Sequence, residues 1–200
     1  MRSRCLVVSH ASPSSSTPFF VCAALGLALW LAHGPAALAE TTFSITSASF
    51  RAGGAVNSPQ VFDQDDCKGG NRSPQLTWRD APAGTRSFAI TMFDPDAPGR
   101  GWWHWAVAGI PATVESLPEN ASASGFLKKL GAVEARNDFD VDGYGGPCPP
   151  PGKPHRYVIT VYALNTANLH LAQGRPALMF DHEIGTAAIG SAKMVVNYGR

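Results

Sequence analysis

The chain has 200 residues, 44% of them hydrophobic and 16% charged, and a formal net charge of +1. That composition fits one globular domain with a short appendage; the near-neutral balance, with no Lys/Arg run, argues against a nucleic-acid partner and against a polybasic membrane surface. The 20 glycines and 16 prolines exceed average usage without reaching the level of a disordered chain, so many turns, and hence β-structure, are expected.

Arg2 and Arg4 open the chain, and an apolar run from Phe19 to Ala32 is followed by Ala37-Leu38-Ala39. A positive start, a short apolar segment and a small-x-small pattern together predict a secretory signal cut after Ala39. The domains are then residues 1–39, a cleaved signal peptide, and 40–200, one functional domain located in the periplasm or secreted. An uncleaved anchor is the alternative; Cys22 lacks the small residue that precedes a lipoprotein cleavage site, so stable membrane anchoring is not expected. Cys5 and Cys22 leave with the signal. Cys67 and Cys148 remain, and in an oxidising compartment they point to one disulfide, with two separate buried thiols as the other possibility.

Polar and apolar residues mix over Phe43–Phe50, a first strand candidate. Over Ser87–Phe93 the large residues Phe88, Ile90 and Met92 alternate with smaller ones, the period of a strand buried on one face. Trp103–Ile110 and His155–Leu164 are further aromatic and β-branched runs bounded by Pro or Gly. Pro176–Ala187 reads as a helix and Lys193–Tyr198 as a closing strand. Residues 111–137 and 138–154 read as two long loops, and loops of that length in a small domain are often functional. Short strands, turn-rich connections and little helix predict an all-β single domain, a sandwich or a barrel.

Three polar clusters could carry chemistry. Asp94-Pro95-Asp96-Ala97-Pro98 holds two carboxylates at a strand end, or is an ordinary acidic turn. In Gly101-Trp102-Trp103-His104-Trp105, strand parity puts Trp102 and His104 on one face and Trp103 and Trp105 on the other; His104 is then a pocket imidazole or a satisfied core histidine. Gly145 to Gly152 forms a stiff loop with Cys148 and Pro150 in it, followed by His155-Arg156-Tyr157. His155 and Tyr157 share a face, and Arg156 points away to brace a carboxylate such as Asp94 or Asp138. Carboxylates, imidazoles, a phenol and exposed amides suit a small polar anion, with both imidazoles donating. No G-x-S-x-G, H-E-x-x-H or G-x-x-x-x-G-K-[ST] pattern is present, no spacing fixes a metal site, and no cofactor is expected.

The ordered set DPDAP at 94–98, WWHW at 102–105 and GPCPPPGKPHRY at 146–157 resembles the phosphatidylethanolamine-binding protein family, in particular its bacterial Raf-kinase-inhibitor-like branch. The likeness extends through Cys67–Pro74, Leu76-Thr77-Trp78, Arg136–Phe139 and Tyr162-Ala163-Leu164. The resemblance implies an antiparallel sandwich of two sheets around a small cavity for phosphate or phospholipid-headgroup-like anions. Ligand-binding residues implied in this way are Asp94, Asp96, His104, Gly146, Cys148, Pro150, His155 and Tyr157, with Asp94 orienting His104 and Arg156 as structural support. The expected function is that of an exported, non-enzymatic anion-binding protein acting as an inhibitor or modulator of a protein target. A hydrolase using Asp94, Asp96, His104 and His155, and a glycan- or partner-binding module using Trp102 and Trp103, are the alternatives.

Overall fold

The computed structural model describes residues 42–200, so the predicted signal segment and its cleavage point at Ala39 lie outside the described residues. Among the described residues no helix is long and apolar enough to cross a membrane. The strands of the described residues run in chain order as β1 (Ser44–Thr46), β2 (Leu76–Arg79), β3 (Ser87–Asp94), β4 (Trp102–Pro111), β5 (Ser116–Leu117), β6 (Val133–Glu134), β7 (His155–Leu164) and β8 (Ala188–Tyr198). Helix α1 (Phe126–Lys129) is a single turn, and α2 (Ala177–Ala187) leads straight into β8. Every strand pairing within the two sheets is antiparallel: one sheet has the order β1-β2-β5, the other β6-β4-β3-β7-β8.

The alternation read over Ser87–Phe93 places Phe88, Ile90 and Met92 between the two sheets, where they pack with Trp78, Trp105, Val107, Tyr157 and Ile159. Phe88 meets the Trp78 indole edge-on, with ring centroids 5.3 Å apart. The other face of β3 and β4 carries Ala89, Ala106 and Ala108, and this row of small side chains lets α2 lie close, burying Phe180 and Ile184 completely. Each of those two side chains contributes about 1.5–3 kcal/mol by leaving water. Pro176 precedes the first helical residue with extended backbone, and the helix needs no donor from its nitrogen there.

Several expected boundaries move. The first strand is three residues long rather than eight. The closing strand begins at Ala188, because Ala188, Gly190 and Ser191 pair with β7 although their small side chains carry no apolar period. Residues 111–137 do not form one long loop; they hold β5, α1 and β6, each too short to leave a periodic pattern. Of the parity expected in this segment, Trp102 and His104 do share a face, both lining one cavity, but Trp103 and Trp105 do not. Between Met92 and Phe93 the register with β4 slips, so that Met92 faces Trp105 and Phe93 faces Trp103. This bulge inserts His104 as an extra residue, so that Trp105 turns inward on the same side as His104, while Trp103 stays outside against Phe93. A second slip lies farther along β4, where Gly109 has a φ of 80° that side-chain-bearing residues rarely adopt.

Candidate functional site

The bulge delivers His104 to one end of the sandwich, where β3 ends, β4 begins and β7 begins. There a cavity of about 220 Å³ is lined by Asp94, His104, Cys148, Pro150, His155 and Tyr157, together with Trp102, Phe139 and Pro149 among others. Six of the eight sequence-derived ligand positions therefore come together. Asp96 and Gly146 do not line it.

Asp94, almost fully buried at the end of β3, is held by three donors. Its Oδ1 accepts from the backbone N–H of Asp96 at 2.8 Å and of Ala97 at 3.1 Å, which closes the DPDAP turn. Its Oδ2 lies 2.7 Å from Nδ1 of His155. The carboxylate thus orients His155, not His104 as the resemblance implied. His104 is fixed differently: its Nδ1 donates to the Gly145 carbonyl at 2.7 Å, and the Gly145 N–H returns a bond of 2.9 Å to the His104 carbonyl. His104 lies against the loop residue Gly145, while Asp94 ends β3 beside the start of β7. Burial pushes the His104 imidazole down to about 4, against the opposing pull of the Gly145 carbonyl. A ring so held is neutral near pH 7, with its one hydrogen on Nδ1. It presents an acceptor at Nε2, which corrects the expectation that both imidazoles donate.

Tyr157 stands edge-on to His104, with centroids 5.1 Å apart and planes at 77°. Among the described residues its hydroxyl is buried without a hydrogen-bond partner, and so is Nε1 of Trp102. Burial also raises the Tyr157 phenol well above its usual range, so it remains an O–H donor. Phe139 closes the opposite wall, edge-on to both Trp102 and His104 and stacked on Phe62 at 4.1 Å. Its position is set by Asn137, whose Oδ1 accepts from the N–H groups of Phe139 and Val141 and whose Nδ2 donates to the Gly143 carbonyl. Asp138 ties this turn to the bulge through an exchange of bonds with the Trp103 backbone. Residues 136–139 carried the family resemblance, yet no single residue among them signalled a wall of the cavity.

The rim is the Gly145–Gly152 segment. Gly146 lies where a Cβ would meet the Gln60 carbonyl at 2.3 Å and the Phe62 nitrogen at 2.4 Å, so its place is structural: it allows the loop to lie against residues 60–62. Its N–H donates to Oδ1 of Asn71. Cys148 is joined to Cys67 by a disulfide spanning 81 residues of sequence, and Nε of Arg200 donates to the Pro149 carbonyl at 2.7 Å. Arg156 does turn away from the cavity, but it braces neither Asp94 nor Asp138. Its guanidinium forms a two-pronged pair with Asp96, at 2.9 Å from Nε and 2.7 Å from Nη2, and its backbone N–H adds a third bond. That pair holds the Asp96 carboxyl far below the usual carboxylate range. Asp96 is thereby committed to Arg156 at the surface, which is why it does not reach the cavity.

Comparison with known proteins agrees with this architecture. Residues 46–199 match the family model described as phosphatidylethanolamine-binding protein. The chain is 43% identical over 159 residues to the UPF0098 protein YbcL of Escherichia coli K12, an alignment covering 78% of this chain and 87% of that protein. It is 36% identical to the UPF0098 protein YbhB of the same strain, covering 77% of this chain and 98% of the relative. The crystal structure of E. coli YbcL, titled a new member of the mammalian PEBP family, superposes with a TM-score of 0.77 at 41% identity, covering 80% of this chain and 99% of that one. A family match across nearly all the described residues, joined to this fold and these motifs, establishes that the chain belongs to the phosphatidylethanolamine-binding protein family.

Proposed function

We propose that the protein is an exported, non-enzymatic binding protein that takes a small anion of the phosphate or phospholipid-headgroup kind and modulates a protein target. The observation that carries this reading is the pair of buried, unpartnered donors, the Tyr157 hydroxyl and the Trp102 indole N–H, in one small cavity. A buried donor without a partner is costly, and a ligand oxygen at that place removes the cost. His155 adds a third donor whenever its ring is protonated, because Asp94 already holds its Nδ1.

Binding is favoured over catalysis by the state of the groups that would react. Cys148 is tied up in the disulfide. The Tyr157 phenol is kept protonated by burial. Among the described residues that line the cavity there is no serine, threonine, lysine or free cysteine. The disulfide supports an oxidising compartment and so supports export.

Titration calorimetry with sodium phosphate tests the reading. Binding is expected in the millimolar to micromolar range, about 4–8 kcal/mol, and His155→Ala is expected to weaken it. Equal affinity in the wild type and in His155→Ala would place the anion elsewhere, and no heat with any small oxyanion would reject the reading.

A further inference from the structure

Trp102 lines the anion cavity, but Trp103 lies on the other side of the sheet. There it packs on Phe93, with ring centroids 4.5 Å apart, in a second, open depression of about 420 Å³ on the outer face of the five-stranded sheet. Strand register sets its floor. Thr91 of β3 stands opposite Thr160 of β7, and Thr160 stands opposite Lys193 of β8. Both threonines are almost fully buried, 2% and 3% exposed, and both line the depression. Neither hydroxyl has a hydrogen-bond partner among the described residues, so each is left able to donate once and to accept. Arg100 enters from the turn between β3 and β4, and Asp181 from α2. Arg100, Lys193 and Asp181 have no ion-pair partner among the described residues.

We propose that this outer depression binds an acidic saccharide, at a place separate from the anion cavity. A sugar ring presents C–H groups on one face and hydroxyls around its edge. The half-buried Trp103 ring takes the C–H face, because the negative face of an aromatic ring attracts slightly positive hydrogens. Thr91, Thr160 and Asp181 exchange hydrogen bonds with the sugar hydroxyls, and carboxylates along the saccharide meet Arg100 and Lys193 in charge-assisted bonds. A peptide suits the depression less well. β3 and β7 each have a strand on either side, so an added strand finds no free backbone edge there. The apolar side of an amphipathic helix would cover both threonine hydroxyls and offer them no partner, and burying an unpaired hydroxyl is costly.

Titration calorimetry of the full chain near pH 7 tests the site with trigalacturonate, its methyl ester and triglutamate. The ester keeps the sugar rings and loses the charge; triglutamate keeps the charge and loses the rings. Trigalacturonate is expected to bind with a dissociation constant of about 1 mM or tighter, and at least about fivefold more tightly than either of the others. Lys193→Ala trims an exposed side chain from a strand that stays paired, so the variant should fold, and its affinity for trigalacturonate should fall about three- to tenfold. Trp103→Ala should weaken the saccharide by at least as much; if that variant does not fold, Lys193→Ala decides. Tyr157→Phe, in the anion cavity, should leave the saccharide affinity as it was. No binding of trigalacturonate, or equal affinity in the wild type and Lys193→Ala, would overturn the proposal. Triglutamate binding as tightly would make the occupant an acidic peptide and overturn the saccharide. An ester that binds as tightly would overturn the part given to Arg100 and Lys193, and a loss of saccharide affinity in Tyr157→Phe would move the saccharide to the anion cavity and overturn the separate site.

Discussion

The imidazole of His155 and the carboxylate of Asp94 meet at 2.7 Å across 61 residues of sequence, Nδ1 to Oδ2. Because Oδ1 of Asp94 is already occupied by two backbone N–H groups, only Oδ2 is free to set the tautomer of the ring. Asp94→Asn is expected to keep the turn and to place its amide N–H2 against His155. That forces Nδ1 to accept and moves the ring hydrogen to Nε2. Nitrogen-15 NMR of the histidine rings reads the change, and an unaltered His155 tautomer in the variant would reject the assignment.

His104 gives stability its own dependence on acid. Its folded pKa, about 4, lies below the ordinary 6.5, so the unfolded chain takes up a proton that the native state refuses. The associated stability is complete above about 6.5 and is lost as pH falls from there toward 4, to a total of about 3 kcal/mol. Asp96 acts in the same direction, but only below its ordinary value of 3.8. Glu134, raised by burial, works the opposite way and offsets part of the loss. Urea unfolding over this pH range, with His104→Phe as the non-titrating control, should show a steeper fall in the wild type. Parallel curves would contradict the neutral buried ring.

Tyr157→Phe separates binding from folding. Its hydroxyl makes no bond in the described structure, so its removal should leave the thermal midpoint unchanged or higher, since an unpaired buried hydroxyl costs about 1–3 kcal/mol. Phosphate affinity should fall about five- to tenfold. A destabilised variant with full affinity would mean that the hydroxyl serves the core.

The pair of Arg156 and Asp96 sits at the surface, with the guanidinium mostly exposed. Arg156→Ala should therefore cost little stability, as exposed pairs generally contribute little. The readout is Asp96 itself, whose carboxyl should rise toward 3.8 once its partner is gone. Carboxyl carbon NMR across the acid range measures this, and a titration identical to the wild type would deny the pairing.

Replacing Cys67 and Cys148 together by Ser opens an 81-residue loop. In the chain-entropy model this costs at most about 4–5 kcal/mol. The urea midpoint of the double variant should match that of the reduced wild type, and a midpoint equal to the oxidised protein would show that the link adds nothing.

The strands were legible wherever side chains alternate over several residues, as from Ser87 to Phe93 and from His155 to Leu164. The turn at Asp94–Pro98 and the shared face of His155 and Tyr157 were legible for the same reason: each is a local geometric rule. What escaped depended on register. A bulge is a relation between two strands, so nothing in WWHW alone shows that His104 and Trp105 turn the same way; the pairing of Asp94 with His104 was what the resemblance implied and not a reading of register. Asp96 escaped in a similar manner, since its partner Arg156 lies 60 residues away. Gly146 read as a ligand-facing amide because its contact with residues 60–62 joins two loops that neither sequence pattern nor period connects.

The position of β3 bears on how the chain must come together. It lies in the middle of the five-stranded sheet, with β4 on one side and β7 on the other. The first neighbour follows it after a short turn; the second arrives only at residue 155. Until then one edge of the apolar segment SFAITMF offers unpaired backbone groups to any other strand nearby. A chain truncated before His155 therefore exposes an adhesive edge as well as an unfinished cavity, and such fragments should self-associate where the whole chain does not.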